Sequence, residues 1–284
     1  MAIFSNQATL TYNGTSTNSN IAYGEILEVL TVSKTSIEGE YAPGSVLTYA
    51  VTLRNTGTAP LNGLSVSDDL GGYPVGGTTV YPLTYRDGSA TLFIDGVEQA
   101  APTVTQGPPL VFSGINLPGG SDAVLVYQVR ANEFADPGAG GSVINTVTAT
   151  GVGLNVPVTA TATVTAISEP VLSISKTITP SQVVDNERVT YTFIIQNTGN
   201  QPVIATDNAT VSDAFDPILS ALSVTFNGDP WTEGTQYTYN EATGLFSTVA
   251  GQITVPAATY AQNPVTGEYT VTPGVATLTV TGTV

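Results

Sequence analysis

Hydrophobic and polar residues alternate with a period of two along most of the chain. Such alternation is typical of half-buried β-strands, whose successive side chains point to opposite faces of a sheet. Helical periodicity is nearly absent, and clusters of glycine, proline, asparagine and aspartate separate the alternating stretches. The pattern predicts an all-β protein made of β-sandwiches. The clearest strands are predicted at 9–12, 46–53, 123–129, 158–165, 189–195 and 276–284.

A repeat organises the chain. Residues 34–60 align without a gap with residues 176–202. Both copies contain Lys-Thr, Thr-Tyr, Asn-Thr-Gly and a final proline, and each is followed a few residues later by Val-Ser-Asp. Two sandwich domains in tandem are therefore predicted, over residues 30–167 and 168–284.

The two copies differ after their last shared strand. The first continues through residues 143–167, which predict a closing hairpin, whereas nothing equivalent follows in the second copy before Val284. Another hairpin is predicted over residues 1–29, and its stretch 5–14 parallels 144–153, since each has an asparagine before an alternating strand. We expect this N-terminal hairpin to complete the second sandwich of the next subunit by strand addition. Such a heterologous contact propagates as a filament.

Two other arrangements of the N-terminal hairpin are open. It can fold back onto the second sandwich of its own chain, because chain termini often lie close together. It can also join the first sandwich as extra strands. A sandwich that lacks strands exposes unpaired backbone groups and promotes association, so completion by another subunit is the arrangement we favour.

The amino-acid composition excludes several kinds of chemical site and disfavours several kinds of partner. The chain has six basic and 22 acidic residues, a formal net charge of −16, and no cysteine or histidine. Disulfides, thiolate or imidazole catalysis and an ordinary zinc site are therefore excluded. The charge disfavours nucleic acid and anionic membranes as partners. No apolar stretch is long enough for a membrane span and no signal peptide is visible, and we expect no enzymatic activity, cofactor or metal.

The chain contains only two lysines, and these occupy equivalent positions in the two copies. Alternation places both on the apolar face of a strand. A desolvated lysine, a protonated acid and an asparagine amide can form a Lys–Asn isopeptide bond. A non-covalent buried triad and lysines at exposed strand ends are the alternatives. The candidate residues are Lys34, Asp68 and Asn145 within one chain, and Lys176 and Asp213 with Asn6 of the neighbouring subunit.

Other candidate sites are weaker. Trp231, Tyr237 and Tyr239 can form a sugar-binding platform, although such residues more often anchor a core or an interface. The paired aspartates near Asp68 and Asp213 lack the regular spacing of a calcium loop.

The repeated motifs, together with Asn-Thr-Val-Thr-Ala-Thr at 145–150, resemble the conserved repeat domain of bacterial surface proteins. The resemblance covers about 34–165 and 176–284, with divergent middles. It implies tandem Ig-like sandwiches at a cell or spore surface. The second copy departs from the pattern because it lacks the asparagine-bearing strand, and no wall-sorting motif follows it.

A chain of this size with two repeats also resembles the structural proteins of clostridial endospore appendages, which need no export signal. The resemblance implies a self-polymerising, extracellular structural subunit, with itself and other appendage or surface proteins as partners. The alternative function is that of a monomeric adhesion or glycan-binding module. Fibres in electron micrographs distinguish the first function from the second.

Overall fold

The computed structural model describes residues 2–26 and 28–284. Two residues of the predicted N-terminal hairpin, Met1 and Leu27, lie outside the described residues. The regular structure is strand except for one 3₁₀ turn at Ala205–Asp207, so the predicted all-β class with tandem Ig-like sandwiches is confirmed. No helix of the described residues is long and apolar enough to span a bilayer.

The described chain forms two compact units. Unit 1 comprises the residues up to Ala135 and Ser142–Thr165, and unit 2 comprises Asp136–Gly141 and Ala166–Val284. The strands of unit 1 are β1 (Ala2–Asn6), β2 (Thr9–Tyr12), β3 (Thr15–Asn18), β4 (Ala22–Ile26), β5 (Leu30–Ser36), β6 (Glu40–Tyr41), β7 (Val46–Asn55), β8 (Leu61–Asp68), β9 (Tyr73–Val75), β10 (Thr78–Val80), β11 (Leu83–Tyr85), β12 (Thr91–Ile94), β13 (Val97–Glu98), β14 (Thr103–Thr105), β15 (Leu110–Leu117), β16 (Asp122–Ala131), β17 (Ser142–Thr150) and β18 (Val158–Ala166).

The sandwich of unit 1 has two sheets. One has the order β13-β12-β16-β7-β5, with β11 also paired to β16, and the other has the order β14-β15-β8-β17-β18-β6. The inward side chains of both sheets form the core, which is why β7 and β16 alternate strictly between buried and less buried positions. The largest fully buried side chains include Tyr41, Tyr49, Tyr127, Phe112 and Leu47.

Unit 2 repeats the first of these sheets. Its strands are β19 (Leu172–Thr179), β20 (Arg188–Asn197), β21 (Ser212–Ala214), β22 (Ser220–Phe226), β23 (Asp229–Trp231), β24 (Tyr237–Asn240), β25 (Leu245–Thr248), β26 (Thr259–Gln262), β27 (Tyr269–Thr272) and β28 (Gly274–Thr283). The order β19-β20-β28-β22-β23 matches β5-β7-β16-β12-β13 strand for strand. The register also matches, since Lys34 lies opposite Val51 and Lys176 opposite Phe193.

The second sheet of unit 2 is smaller. Its order β21-β25-β24 matches β8-β15-β14 of unit 1. Among the described residues, no strand of unit 2 takes the places that β17, β18 and β6 hold in unit 1. One edge of β21, where β17 pairs with β8 in unit 1, is therefore unpaired within the described chain.

The N-terminal hairpin (β1–β4) forms a ribbon of its own. Strand β1 pairs with β4 and β2 with β3, and the ribbon turns at Asn13 and Gly14, both of which have positive φ. A two-residue turn of this kind matches the twist of an antiparallel hairpin. None of the four strands joins either sheet of unit 1 in the described residues.

Candidate functional site

Three predicted residues meet inside the sandwich of unit 1. Strand β5 supplies Lys34, β8 supplies Asp68 and β17 supplies Asn145, and all three are buried, with 5%, 0% and 0% of their surface exposed. The Lys34 ammonium lies 2.9 Å from Asp68 Oδ2, and Asn145 Nδ2 donates to the same oxygen at 3.3 Å. One carboxylate oxygen therefore contacts both the lysine and the amide nitrogen.

Two tyrosines and a backbone group complete this site. The Tyr127 hydroxyl donates a hydrogen bond to Asp68 Oδ2, and the Leu70 N–H donates to Oδ1 at 2.7 Å. The Lys34 nitrogen lies 4.5 Å from the centre of the Tyr49 ring. Tyr127 was not among the residues predicted from the sequence. The available signal was its position on the inward face of an alternating strand, opposite Tyr49.

Burial controls the protonation of this site. It lowers the pKa of Lys34, and the attraction of Asp68 only partly opposes this effect. Burial also raises the pKa of the Tyr127 and Tyr49 hydroxyls, so both remain protonated in neutral solution. A lowered pKa makes the neutral form of a lysine easier to reach, and this form is the nucleophile because its nitrogen carries a free electron pair.

The arrangement suits proton transfer between lysine and amide. Asp68 Oδ2 is placed to accept a proton from Lys34 and deliver it to Asn145 Nδ2, the nitrogen that would leave as ammonia. The Asn145 Oδ1 atom is buried and makes no hydrogen bond of regular geometry. Asp68 thus contacts the amide nitrogen of Asn145 and not its carbonyl oxygen.

Unit 2 holds the equivalent lysine and aspartate at a more exposed site. Lys176 on β19 pairs with Asp213 on β21, and their side chains are 40% and 19% exposed. The lysine nitrogen also lies over the rings of Tyr191 and Phe215, at 4.4 and 5.3 Å from the ring centres. The strand register places Val280 where unit 1 has Tyr127. The described part of unit 2 therefore has the lysine–aspartate pair but no counterpart to the Tyr127 hydroxyl, which donates to Asp68 in unit 1.

The Lys176–Asp213 pair lies within a larger exposed surface of unit 2. Alternation predicts that Leu172, Ile174 and Lys176 share an inward face, yet every side chain of β19 is exposed, whereas Leu30 and Lys34 of β5 are buried. In unit 1, the strand that carries Asn145, β17, covers the part of the core beside Lys34. Unit 2 has no counterpart to β17 among its described strands. We call the inward face of β19 and the unpaired edge of β21 the acceptor groove.

Strands β1 and β4 of the N-terminal hairpin copy the pairing of β17 with β18 in unit 1, whereas β2 and β3 are paired one residue out of that register. Asn6 lies opposite Ala22, as Asn145 lies opposite Ala162. Phe4 lies opposite Gly24 and packs on it so closely that a side chain at Gly24 would collide with the ring. The equivalent pair in β17 and β18 is Val143 and Val164.

The large apolar residues of the hairpin whose side chains the structure describes are exposed. These are Ile3, Phe4, Leu10, Tyr12, Ile21 and Tyr23, with exposed fractions from 46% to 76%. Asn6 is also exposed, so the described chain brings no asparagine of its own hairpin into a buried site. Large apolar side chains grouped on an exposed ribbon are typical of a surface that another protein covers.

The repeated Asn-Thr-Gly motif has a structural role in both units. The Asn55 amide donates to the carbonyl of Ala59 at 2.8 Å and accepts from the N–H of Gly57 at 3.0 Å. Asn197 repeats this pattern with Gln201 and Gly199. A side chain at Gly199 would lie 2.2 Å from a backbone oxygen, so the motif fixes a tight turn.

The three aromatic residues Trp231, Tyr237 and Tyr239 anchor the core, which is the more frequent of the roles expected from the sequence, and do not form a sugar-binding platform. Trp231 stacks on Phe226, Tyr237 is 4% exposed, and the Tyr239 hydroxyl bonds to the backbone of Leu219. All three side chains pack on the core of unit 2, because alternation turns them inward. The described residues also contain no cluster of acidic side chains that would hold a metal ion.

No protein-family model and no curated protein matches the chain. Solved structures with similar architecture include the major pilin subunit BcpA of Bacillus cereus, at a TM-score of 0.38 and 10% identity over 95% of this chain and 66% of that one. The pilus backbone RrgB of Streptococcus pneumoniae is similar at a TM-score of 0.34 and 12% identity, over 86% and 55% of the two chains. The N-terminal domain of the Streptococcus gordonii adhesin Sgo0707 is similar at 0.38 and 15% identity, over 54% and 36%. The chain thus spans about half the length of the RrgB structure.

Proposed function

We propose that this protein is a structural subunit that polymerises head to tail into an extracellular filament of a cell or spore surface. In this proposal the N-terminal hairpin of one subunit enters the acceptor groove of the next. The main support is the shared pairing of the two hairpins, since Asn6 faces Ala22 as Asn145 faces Ala162. The open edge of β21 and the exposed inward face of β19 are the complementary observation.

The same correspondence supports one register for the proposed junction. In unit 1, Val147 lies opposite Asp68 and Thr148 opposite Ser67. The equivalent pairs across the junction are Ala8 with Asp213 and Thr9 with Ser212. This register supplies backbone partners to the free edge of β21 and brings Asn6 to the Lys176–Asp213 pair. Main-chain hydrogen bonds then provide affinity and the apolar side chains provide specificity.

An isopeptide bond at each site is the covalent part of the proposal. The neutral lysine nitrogen attacks the amide carbon of the asparagine, a C–N bond forms, the bond to Nδ2 breaks, and ammonia leaves with the transferred proton. The step needs no oxidant or cofactor. At the junction, arrival of the hairpin would remove water from around Lys176, and desolvation favours the neutral form of an amine. The cross-link would therefore follow docking.

Engineered disulfides test the register, because the chain has no cysteine of its own. A Thr9→Cys chain mixed with a Ser212→Cys chain should give a disulfide-linked pair under mild oxidation, since directly opposite strand residues are close enough for a disulfide. The matched control pairs Ala8→Cys with Ser212→Cys and should not react, because adjacent residues of a strand point to opposite faces.

The same pair of substitutions in one chain separates the alternatives. An internal disulfide in dilute monomer would show that the hairpin closes on its own chain and would overturn the filament. Electron micrographs of the unmodified protein should show fibres that are lost when residues 1–20 are deleted. Fibres that persist in the deleted chain would overturn the role of the hairpin, and a stable monomer of the full chain would overturn polymerisation.

Mass spectrometry and denaturing gels test the covalent bonds separately. Unit 1 should lose the mass of one ammonia, and this loss should be absent in Asn145→Ala. Fibres should give a ladder that survives boiling in detergent. Lys176→Arg keeps the charge, but its guanidinium is not a nucleophile at neutral pH, so this variant should form fibres without the ladder. An unchanged ladder in Lys176→Arg would refute the bond at the junction while leaving the docking intact.

A further inference from the structure

Unit 1 contains a segment that its repeat partner lacks. Between β8 and β12 the chain runs through residues 69–90, which form β9, β10 and β11, whereas residues 215–219 alone join the equivalent strands β21 and β22. Unit 2 forms the matching sheet without such a segment. The additional chain of unit 1 is therefore not required by the sandwich itself.

This segment forms most of the wall of an open cleft with a volume of about 450 Å³. That volume lies in the range of small-molecule sites. Buried Leu70 and Val80 contribute apolar surface, Tyr81 and Phe134 contribute aromatic rings, and Gln106 and Glu133 contribute exposed polar groups. The cleft lies entirely within unit 1 and shares with the Lys34 site only Leu70, whose backbone N–H donates to Asp68.

Hydrogen bonds fix the aromatic wall of the cleft in place. The Asn132 amide donates to the Tyr81 carbonyl at 2.8 Å and to Thr84 Oγ1 at 2.9 Å, and it accepts from the Phe134 N–H at 3.0 Å. The Tyr73 hydroxyl donates to the Phe134 carbonyl at 2.5 Å. The Tyr81 ring also packs against Gly72, where any side chain would collide with it. A preorganised site loses little conformational entropy when a ligand binds.

The side chains that line the cleft favour one class of ligand. No lysine or arginine lines the cleft, one carboxylate does, and the chain has a net charge of −16. Anionic ligands are therefore disfavoured. Aromatic rings beside amide and carboxylate groups match a neutral ligand that has apolar C–H faces and a ring of hydroxyls.

We propose that this cleft binds a neutral saccharide of one or two sugar rings. A C–H face of a sugar packs on Tyr81 or Phe134, and its hydroxyls exchange hydrogen bonds with Gln106 and Glu133. This function is independent of polymerisation, because it uses none of the residues of the hairpin or of the acceptor groove. In a filament it would place one saccharide site on every subunit.

Titration of the full-length protein with neutral disaccharides tests the proposal. The probes are cellobiose, lactose, mannobiose and N,N′-diacetylchitobiose, followed by calorimetry and by chemical-shift changes in the labelled protein. At least one should bind saturably, and Tyr81→Ala and Gln106→Ala should each weaken its binding by about tenfold. Gln99→Ala removes an exposed glutamine of unit 1 that does not line the cleft and is the matched control, which should bind as the unmodified protein does.

Three results would overturn the saccharide site. They are no saturable binding of any of the four disaccharides, binding that Tyr81→Ala and Gln106→Ala leave unchanged, and tighter binding of a glucuronate disaccharide than of its neutral counterpart. A thermal unfolding curve of each variant identifies any loss of binding that results from unfolding. A Gln106→Glu variant keeps the shape of the side chain at an exposed position. A loss of saccharide binding in this variant therefore cannot result from truncation of the side chain.

Discussion

The two units hold the same lysine–aspartate pair in opposite environments. In unit 1 the pair is fully buried, with both side chains 0% exposed, whereas in unit 2 the lysine is 40% and the aspartate 19% exposed. The strand order and register of the lysine-bearing sheet are the same in both. The difference follows from one hairpin, β17–β18, which covers the pair in unit 1.

This comparison shows that the position of the lysine in the sheet does not by itself determine its chemistry. Burial lowers the pKa of Lys34, and Asp68 Oδ2 contacts two side-chain nitrogen atoms and a tyrosine hydroxyl. The pair in unit 2 has water access and no amide partner within the described chain. A strand that covers the acceptor groove would supply both missing features at once.

Removing each lysine should give the largest difference between the units. In an Asn145→Ala chain, which cannot form the isopeptide bond, Lys34→Ala leaves Asp68 buried without its cationic partner, and breaking a buried pair in this way costs about 3–5 kcal/mol. Lys176→Ala removes a partly exposed pair, which is worth about 1 kcal/mol or less in the free subunit. Urea unfolding of both variants, prepared as monomers, measures the two changes in the free energy of unfolding. Equal losses in the two variants would contradict the difference in burial.

Most of the strands and the residues that meet in unit 1 could be predicted from the sequence. The period-two alternation predicted the strands, and the six clearest ones lie in β2, β7, β16, β18, β20 and β28. The repeat also identified the residues that meet in unit 1, because equivalent positions in two copies of a fold occupy equivalent places in the sheets. The two lysines were identified as candidate residues because they occupy equivalent positions in the two copies.

Other features could not be predicted from local pattern. Alternation in β19 indicated a buried face, but burial depends on a covering strand that lies far away in sequence, so Ile174 is 55% exposed. The contact of Tyr127 with Asp68 depends on which strands face each other across the sandwich. The cleft is formed by a segment without strong periodicity, so only the folded chain shows that Tyr81, Gln106 and Phe134 lie together.

Adding the missing hairpin should affect only one unit. A synthetic peptide of residues 2–26, added to a chain from which residues 1–20 are deleted, should raise the unfolding temperature of unit 2 and leave unit 1 unchanged. A ligand that binds only the folded state stabilises it by about 2.7 kcal/mol at a concentration of 100 Kd. Differential scanning calorimetry follows the two transitions.

An Asn6→Ala peptide is the matched control for this addition. It keeps the strand pairing and the apolar side chains, so it should still stabilise unit 2 but should not become covalently attached. Stabilisation of unit 1 by either peptide would indicate that the hairpin belongs to the first sandwich, which is one of the two alternatives that the sequence left open.

The smallest expected effect is a dependence of stability on pH that is specific to unit 1. The pKa of Lys34 is lowered by burial from its ordinary value of 10.5, so between the lowered pKa and 10.5 the unfolded chain binds more protons than the folded unit. Stability should therefore rise with pH in that window, by at most about 1.4 kcal/mol per pH unit for one proton. Burial raises the pKa of Tyr127 and Tyr49, and these groups reverse the trend above about pH 10, where tyrosines of the unfolded chain ionise.

The measurement uses an Asn145→Ala chain, which cannot form the isopeptide bond, and compares urea unfolding of its two units at pH values from about 8 to 10. Lys34→Met in the same background removes the titrating group and should abolish the rise. A slope that survives Lys34→Met, or a slope of equal size in unit 2, would assign the effect to groups other than the buried lysine. The titration would then not distinguish the two units, and the difference between them would rest on accessibility alone.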